Sequence, residues 1–231
     1  MNAVGLVAFA LVGSLKAAEA EFDVLGVAVL GVLTALGGGA TRDVLVGRVP
    51  AMLQSTWDVG FALLGVAVAV LFAARVSTGR GRHSRVLAPL SSAPLVNRVD
   101  ARPLDHPAVT VPDAVGLAAF ATTGALVGHD AGVTAFGVVV LATVTGVGGG
   151  LVSDVLLQRV PFVLAEDFYA TCAVAGSASF WVVVQFGGGT AVGAAVCAGL
   201  TLTLRVVAMR RNWRLPTVEL TAGSRCRPRS R

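Results

Sequence analysis

The chain has 231 residues, 55% of them apolar and only 13% charged, with a mean hydropathy of +0.79. One soluble core of this size needs far less apolar sequence, so the composition places the chain in a bilayer. The net charge of +5 comes from arginines gathered in one connecting segment and the C-terminal tail, beside long apolar runs, which fits the cytoplasmic flanks of membrane spans and gives no reason to expect a nucleic-acid partner.

Residues 1–20 resemble a signal peptide in their apolar run and in the small-residue ending Ala18-Glu19-Ala20. However, no Lys or Arg precedes the run, and the same segment recurs from Val115, so it reads as the first membrane helix. That first apolar segment covers Val4 to Leu15. Lys16 to Asp23 reads as a polar turn, with Lys16 and Glu19 at the membrane interface. A second segment starts at Val24, meets Gly37-Gly38-Gly39 after 13 residues and continues to Val49, where Pro50 stops it. Thirteen residues rise only about 20 Å against a hydrocarbon core of about 30 Å, so the glycines are expected to break the helix inside the membrane. The third segment, Trp57 to Ala74, opens on an interfacial aromatic residue and ends at Arg75.

Residues 75 to 112 carry six arginines and five prolines and read as a linker. The pattern then restarts. Asp113 to Val127 precedes a turn at His129 and Asp130, and a segment from Ala131 passes Gly148-Gly149-Gly150 and ends at Pro161. Spans follow from Phe168 to Phe186 and, after the turn Gly187-Gly188-Gly189, from Thr190 to Ala208. Cys172, Cys197 and Cys226 are scattered and odd in number, which argues against a disulfide framework or a metal site.

Subtracting 111 from the second half superposes it on the first without a gap. Phe120 falls on Phe9, the glycine triplets coincide, and Asp154, Arg159 and Pro161 fall on Asp43, Arg48 and Pro50. Roughly half of positions 4–53 are identical in this register, which marks an internal duplication. Each copy holds three spans, an odd number, so the copies are inverted in the membrane. The expected fold is an all-α membrane protein of seven transmembrane helices: two inverted three-helix repeats plus a seventh helix, with the second and fifth helices kinked at their GGG triplets. The expected organisation is a first repeat at 1–75, a basic linker at 76–112, a second repeat at 113–186, the seventh helix at 187–209 and a basic tail at 210–231. Four crossings separate linker and tail, so they share a side. The positive-inside rule makes that side cytoplasmic and puts the N-terminus outside the cell membrane.

Backbone freed at membrane depth must be satisfied by protein or water, so the triplets are expected to line a cavity. Carbonyls at the end of each half-helix would suit a cation. The candidate ion path therefore comprises Gly37, Gly38, Gly39, Asp43 and Arg48 with Gly148, Gly149, Gly150, Asp154 and Arg159. Charges so far from the segment ends usually face a bundle interior or an aqueous path. The competing account of Asp43 is a structural one, in which it pairs with Arg42 or caps the helix restarted after the glycines. Asp154 has Ser153 in place of that arginine. No catalytic or nucleotide-binding motif occurs, so no enzyme activity is expected.

The doubled pattern of Gly5-Leu6-Val7-Ala8-Phe9-Ala10 with Thr34 to Pro50, and Gly116-Leu117-Ala118-Ala119-Phe120-Ala121 with Thr145 to Pro161, resembles the prokaryotic trimeric intracellular cation (TRIC) channel family. The resemblance covers both repeats and, more weakly, the last span. It implies a homotrimer in the membrane, with a pore for potassium or other monovalent cations in each protomer near the second and fifth helices. No cofactor is implied beyond the permeant ion, and a membrane lipid is a candidate bound molecule. Related bacterial proteins also carry a glycine-transporter label, so a secondary carrier of a small solute such as glycine is the alternative. A non-transporting scaffold is disfavoured, because packing glycines are normally spaced along one helix face rather than consecutive.

Overall fold

A computed structural model of the protein describes residues 1–79, 107–165, 168–211 and 213. All the regular structure among these residues is helical: α1 (Asn2–Glu19), α2 (Val24–Leu45), α3 (Ala51–Gln54), α4 (Thr56–Gly79), α5 (Pro107–Asp130), α6 (Ala135–Leu156), α7 (Phe162–Ala165), α8 (Ala170–Gln185) and α9 (Thr190–Arg211). Six of them, α1, α2, α4, α5, α6 and α9, are long and apolar enough to cross a membrane, and α8 is a shorter apolar helix of 16 residues. Most of the linker and the basic tail beyond Trp213 lie outside the described residues.

The helices follow local signals. Asp23 caps α2 by accepting from the Gly26 amide at 2.7 Å, and Thr134 caps α6 through the Gly137 amide at 3.3 Å. At their other ends α2 and α6 close in the same way. The Arg48 amide bonds back to the Asp43 carbonyl at 2.8 Å and the Arg159 amide to the Asp154 carbonyl at 2.9 Å, with Gly47 at φ +69° and Gln158 at φ +54° in the left-handed turn. This Schellman closure ends α2 at Leu45, short of the expected stop at Val49.

The glycine triplets do not break their helices. α2 is helical from Val24 to Leu45 and α6 from Ala135 to Leu156, so the two expected half-helices are one helix each. The physical reason is packing. A Cβ on Gly38 would collide with the Thr145 carbonyl oxygen, and one on Gly149 with the Thr34 carbonyl oxygen, so α2 and α6 cross backbone to backbone. The close approach needs the middle glycine of each triplet to be bare, and Gly148 as well, where a Cβ would lie 3.0 Å from the Gly38 Cα; the last glycine of each triplet is not needed. Gly39 has nothing nearer than the Arg42 guanidinium at 4.0 Å, and Gly150 has nothing within 4 Å.

Two helices form the centre. The most apolar windows of α1 and α5 are 61% and 67% buried, against 22% and 28% for α4 and α9, whose apolar surfaces are largely exposed. α1 and α5 run antiparallel, with Phe9 and Phe120 packed at 5.1 Å between ring centroids and each ring lying over the other repeat's glycine, Phe120 over Gly5 and Phe9 over Gly116. Val109, early in α5, joins Val12 and Leu15 of α1 and Ala69 of α4 in one core cluster. α4 therefore leads into the linker at the same end of the bundle where α1 ends and α5 begins. Along α9 and α8, Gly176 takes Thr201 against its backbone and Gly193 takes Phe180, so these small residues pack within the protein as their spacing suggests.

α1 and α5 are both longer than expected. α1 runs on to Glu19, which carries Lys16 out of the expected turn and into the core at 2% exposure. α5 begins at Pro107 rather than Asp113, and Asp113 is likewise buried.

Candidate functional site

Two clefts flank the α2–α6 crossing. The first is lined by Asn2, Gly39, Arg42, Asp43 and Asp58 among others. The second is lined by Lys16, Asp113, Gly150, Asp154 and Tyr169 among others. The 111-residue offset maps one onto the other: Asn2 on Asp113, Gly39 on Gly150, Asp43 on Asp154 and Asp58 on Tyr169. Asn2 and Lys16 stand near opposite ends of α1, about 21 Å apart by helical rise, so the clefts open toward opposite ends of the bundle.

Each cleft holds the same hydrogen bond in different chemistry. Asn2 Nδ2 donates to Asp58 Oδ1 at 3.1 Å in the first, and the Tyr169 hydroxyl donates to Asp113 Oδ1 at 3.0 Å in the second. Each also holds a buried ion pair at the C-terminal end of its long helix. Arg42 reaches Asp43 Oδ1 at 2.7 Å, while the other Asp43 oxygen accepts from the Ala51 amide at 2.9 Å and so caps α3. Asp43 thus makes the Arg42 contact weighed for it from sequence, and the helix it caps is α3 rather than a restarted half of α2.

Asp154 is not the unneighboured carboxylate that Ser153 suggested. Lys16 of the other repeat reaches its Oδ1 at 2.7 Å, with the two side chains 3% and 6% exposed. The arginine missing at 153 is replaced across the repeat interface. Lys16 therefore belongs to the site, and its assignment to the membrane interface is corrected. A third pair, Arg205 with Asp113 at 3.8 Å, lies beside the second cleft, the guanidinium also standing 4.7 Å over the Tyr169 ring.

Arg48 is exposed and Arg159 half-buried. Neither lines a cleft, although their backbone amides close the two helices that carry the aspartates. Sequence reasoning passed over Asn2, Asp58, Lys16, Asp113, Tyr169 and Arg205. Arg205 carried a signal of its own, as an ionisable residue within an apolar span. Asn2 with Asp113 and Asp58 with Tyr169 were readable from the offset, as polar residues falling on polar residues. Among the described residues no cluster of His, Cys, Asp or Glu is arranged to hold a metal, and Cys172 and Cys197 are free and buried.

Broken symmetry between two inverted halves, with buried charges at both ends of a close helix crossing, defines a class of membrane proteins that pass small solutes or ions. The chain belongs to the glycine-transporter family, whose family model matches residues 1–74 and 110–185. It is 34% identical to the UPF0126 membrane protein YvgT of Bacillus subtilis over 94% of each chain. It is 35% identical to a UPF0126 membrane protein of Deinococcus radiodurans over 95% of this chain and 91% of that one. Its structure is similar to that of a TRIC cation channel with a TM-score of 0.75 at 32% identity, covering 96% of this chain and 97% of the other. A TRIC orthologue from Rhodobacter sphaeroides gives 0.73 at 26% identity, covering 92% and 96%. These neighbours are ion channels, and the chain is not an enzyme.

Proposed function

We propose that the protein is a channel that passively conducts monovalent cations, potassium foremost, through a path in each protomer of a homotrimer. The observation that carries this reading is the pair of clefts at opposite ends of the α2–α6 crossing, each with two carboxylates and one basic side chain at its lining. Carboxylates at both mouths concentrate cations, and a path between the clefts requires α2 and α6 to part at their crossing, where no side chain stands in the way. The similarity to TRIC cation channels over nearly the whole chain supports the same conclusion. The path passes Gly37, Gly38, Gly39 and Asp43 on one side and Gly148, Gly149, Gly150 and Asp154 on the other, with Arg48 and Arg159 beyond its mouths. The reading calls for no cofactor.

Purified protein in planar bilayers with potassium chloride is expected to give discrete unitary cation currents. Saturable glycine flux without unitary currents would favour the carrier that the family's label describes. Neither signal would leave a scaffold.

In this reading α8 counts as the sixth of seven spans, about 24 Å long by helical rise and accommodated by local thinning of the bilayer. The repeats occupy 1–75 and 113–186, the seventh helix 187–209, and the linker and tail lie in the cytoplasm with the N-terminus outside the cell membrane. In a Cys226→Ser background, a membrane-impermeant thiol reagent added outside is expected to label a cysteine placed at position 2 and to spare one at position 90. Labelling of both from one side would overturn the topology.

A further inference from the structure

The two clefts are not electrically equal, and the difference comes from the one long helix that the duplication does not supply. Counting formal charges at the cleft linings, Arg42, Asp43 and Asp58 leave the first cleft at one negative charge. Lys16, Asp113 and Asp154 leave the second at one negative charge as well. Arg205 of α9 then adds a positive charge beside the second cleft. Its side chain is buried to 1% exposure, stands 3.8 Å from Asp113 and lies against the ring of Tyr169, and both of those residues line the cleft. The charge is not diluted by solvent at the surface. The 111 offset places no span opposite α9, because position 94 falls in the linker, so the first cleft receives no corresponding arginine.

We infer that Arg205 is a rectification-determining residue: by neutralising the second cleft it makes cation entry easier from the Asp58 end than from the Arg205 end. This rests on the channel reading above. A mouth of net negative charge raises the local cation concentration and therefore the inward rate from its own side, whereas a neutral mouth does not. One unit charge at roughly 8–10 Å in a largely aqueous mouth changes local cation occupancy about two- to threefold. The effect is screened by salt, with a Debye length of about 10 Å at 0.1 M and about 3 Å at 1 M.

Single channels are recorded in symmetric potassium chloride at about 0.05 M and about 1 M, and unit currents at equal and opposite voltages are compared. Wild type is expected to rectify about two- to threefold at low salt and to approach a ratio of one at high salt. Arg205→Gln restores a negative charge to the second cleft. It is expected to bring the low-salt ratio to about one by raising the smaller current, whereas Arg205→Lys keeps the wild-type ratio. Asp58→Asn neutralises the first cleft and is expected to reach the same ratio by lowering the larger current, which keeps the test open should Arg205→Gln fail to assemble. A residue that merely held α9 in place would not raise the smaller current alone, nor would its effect on the ratio be matched by lowering the larger current through a distant substitution. A wild-type ratio of one at low salt, or a ratio unchanged in either assembled variant, overturns the inference while unit currents leave the channel reading standing. Absence of any wild-type cation current overturns both.

Discussion

Gly38→Ala and Gly149→Ala are each expected to destabilise the protein by about 3 kcal/mol and to abolish cation flux, whereas Gly39→Ala and Gly150→Ala leave stability unchanged or slightly raised. The asymmetry within each triplet follows from what surrounds it. A methyl group added at Gly38 or Gly149 would meet a backbone carbonyl, of Thr145 or Thr34, and a carbonyl inside a helix cannot rotate away as the end of a side chain can. The two helices would have to separate, which would also displace Gly148, where a Cβ would lie 3.0 Å from the Gly38 Cα. At Gly39 and Gly150 there is room for a methyl group, and alanine is worth about 1 kcal/mol more than glycine in a helix interior. Gly38→Leu and Gly149→Leu extend the series and are expected to prevent assembly altogether. Thermal unfolding of the four detergent-purified alanine variants checks the ordering, and the yield of assembled protein checks the two leucine variants. If the triplets served to interrupt the helices, the position of the substitution would matter little, and equal stability of Gly38→Ala and Gly39→Ala would return the glycines to that role.

The duplication explains why so much of the fold was legible. A register of 111 residues with Phe9 on Phe120 and Thr34 on Thr145 reports a shared three-dimensional contact, since Phe9 packs on Phe120 and each threonine carbonyl meets the other repeat's glycine. Sequence alone singled out the glycine triplets as the feature repeated in both halves. It mistook their role, because three adjacent glycines look the same whether they loosen one helix or admit a second. The one-face argument against a packing role fails here for the same reason: the contact falls chiefly on Gly38 in one triplet and on Gly148 and Gly149 in the other, and the remaining glycines hide it. The charged residues were harder to read. Lys16 sits in the last turn of a helix that could as well have ended before it, and its partner is 138 positions away, beyond any local rule. Asp43 was legible because its partner is adjacent, and even there the second contact, to the Ala51 amide, depended on a four-residue helix with no periodic signal.

That distance in sequence makes the Lys16–Asp154 pair the sharpest test of how the repeats are joined. Lys16→Met removes the ammonium 2.7 Å from a carboxylate that is only 4% exposed, and Asp154→Leu leaves the ammonium in an equally closed place. Removing one partner of a buried pair typically costs about 3–5 kcal/mol, because the other charge keeps its desolvation penalty and loses its compensation. Replacing both by apolar groups of similar volume removes both penalties. Lys16→Met with Asp154→Leu is therefore expected to recover most of the stability lost by either single change, and the coupling in the double-mutant cycle should be about 3 kcal/mol. Thermal or denaturant unfolding of the four proteins in the same detergent measures it. Simple addition of the two single losses would show that the pair does not join the repeats and that Lys16 is held by packing along α1. The matched cycle at Arg42 and Asp43 should give a smaller coupling. There both partners belong to one helix, so nothing between the repeats is at stake.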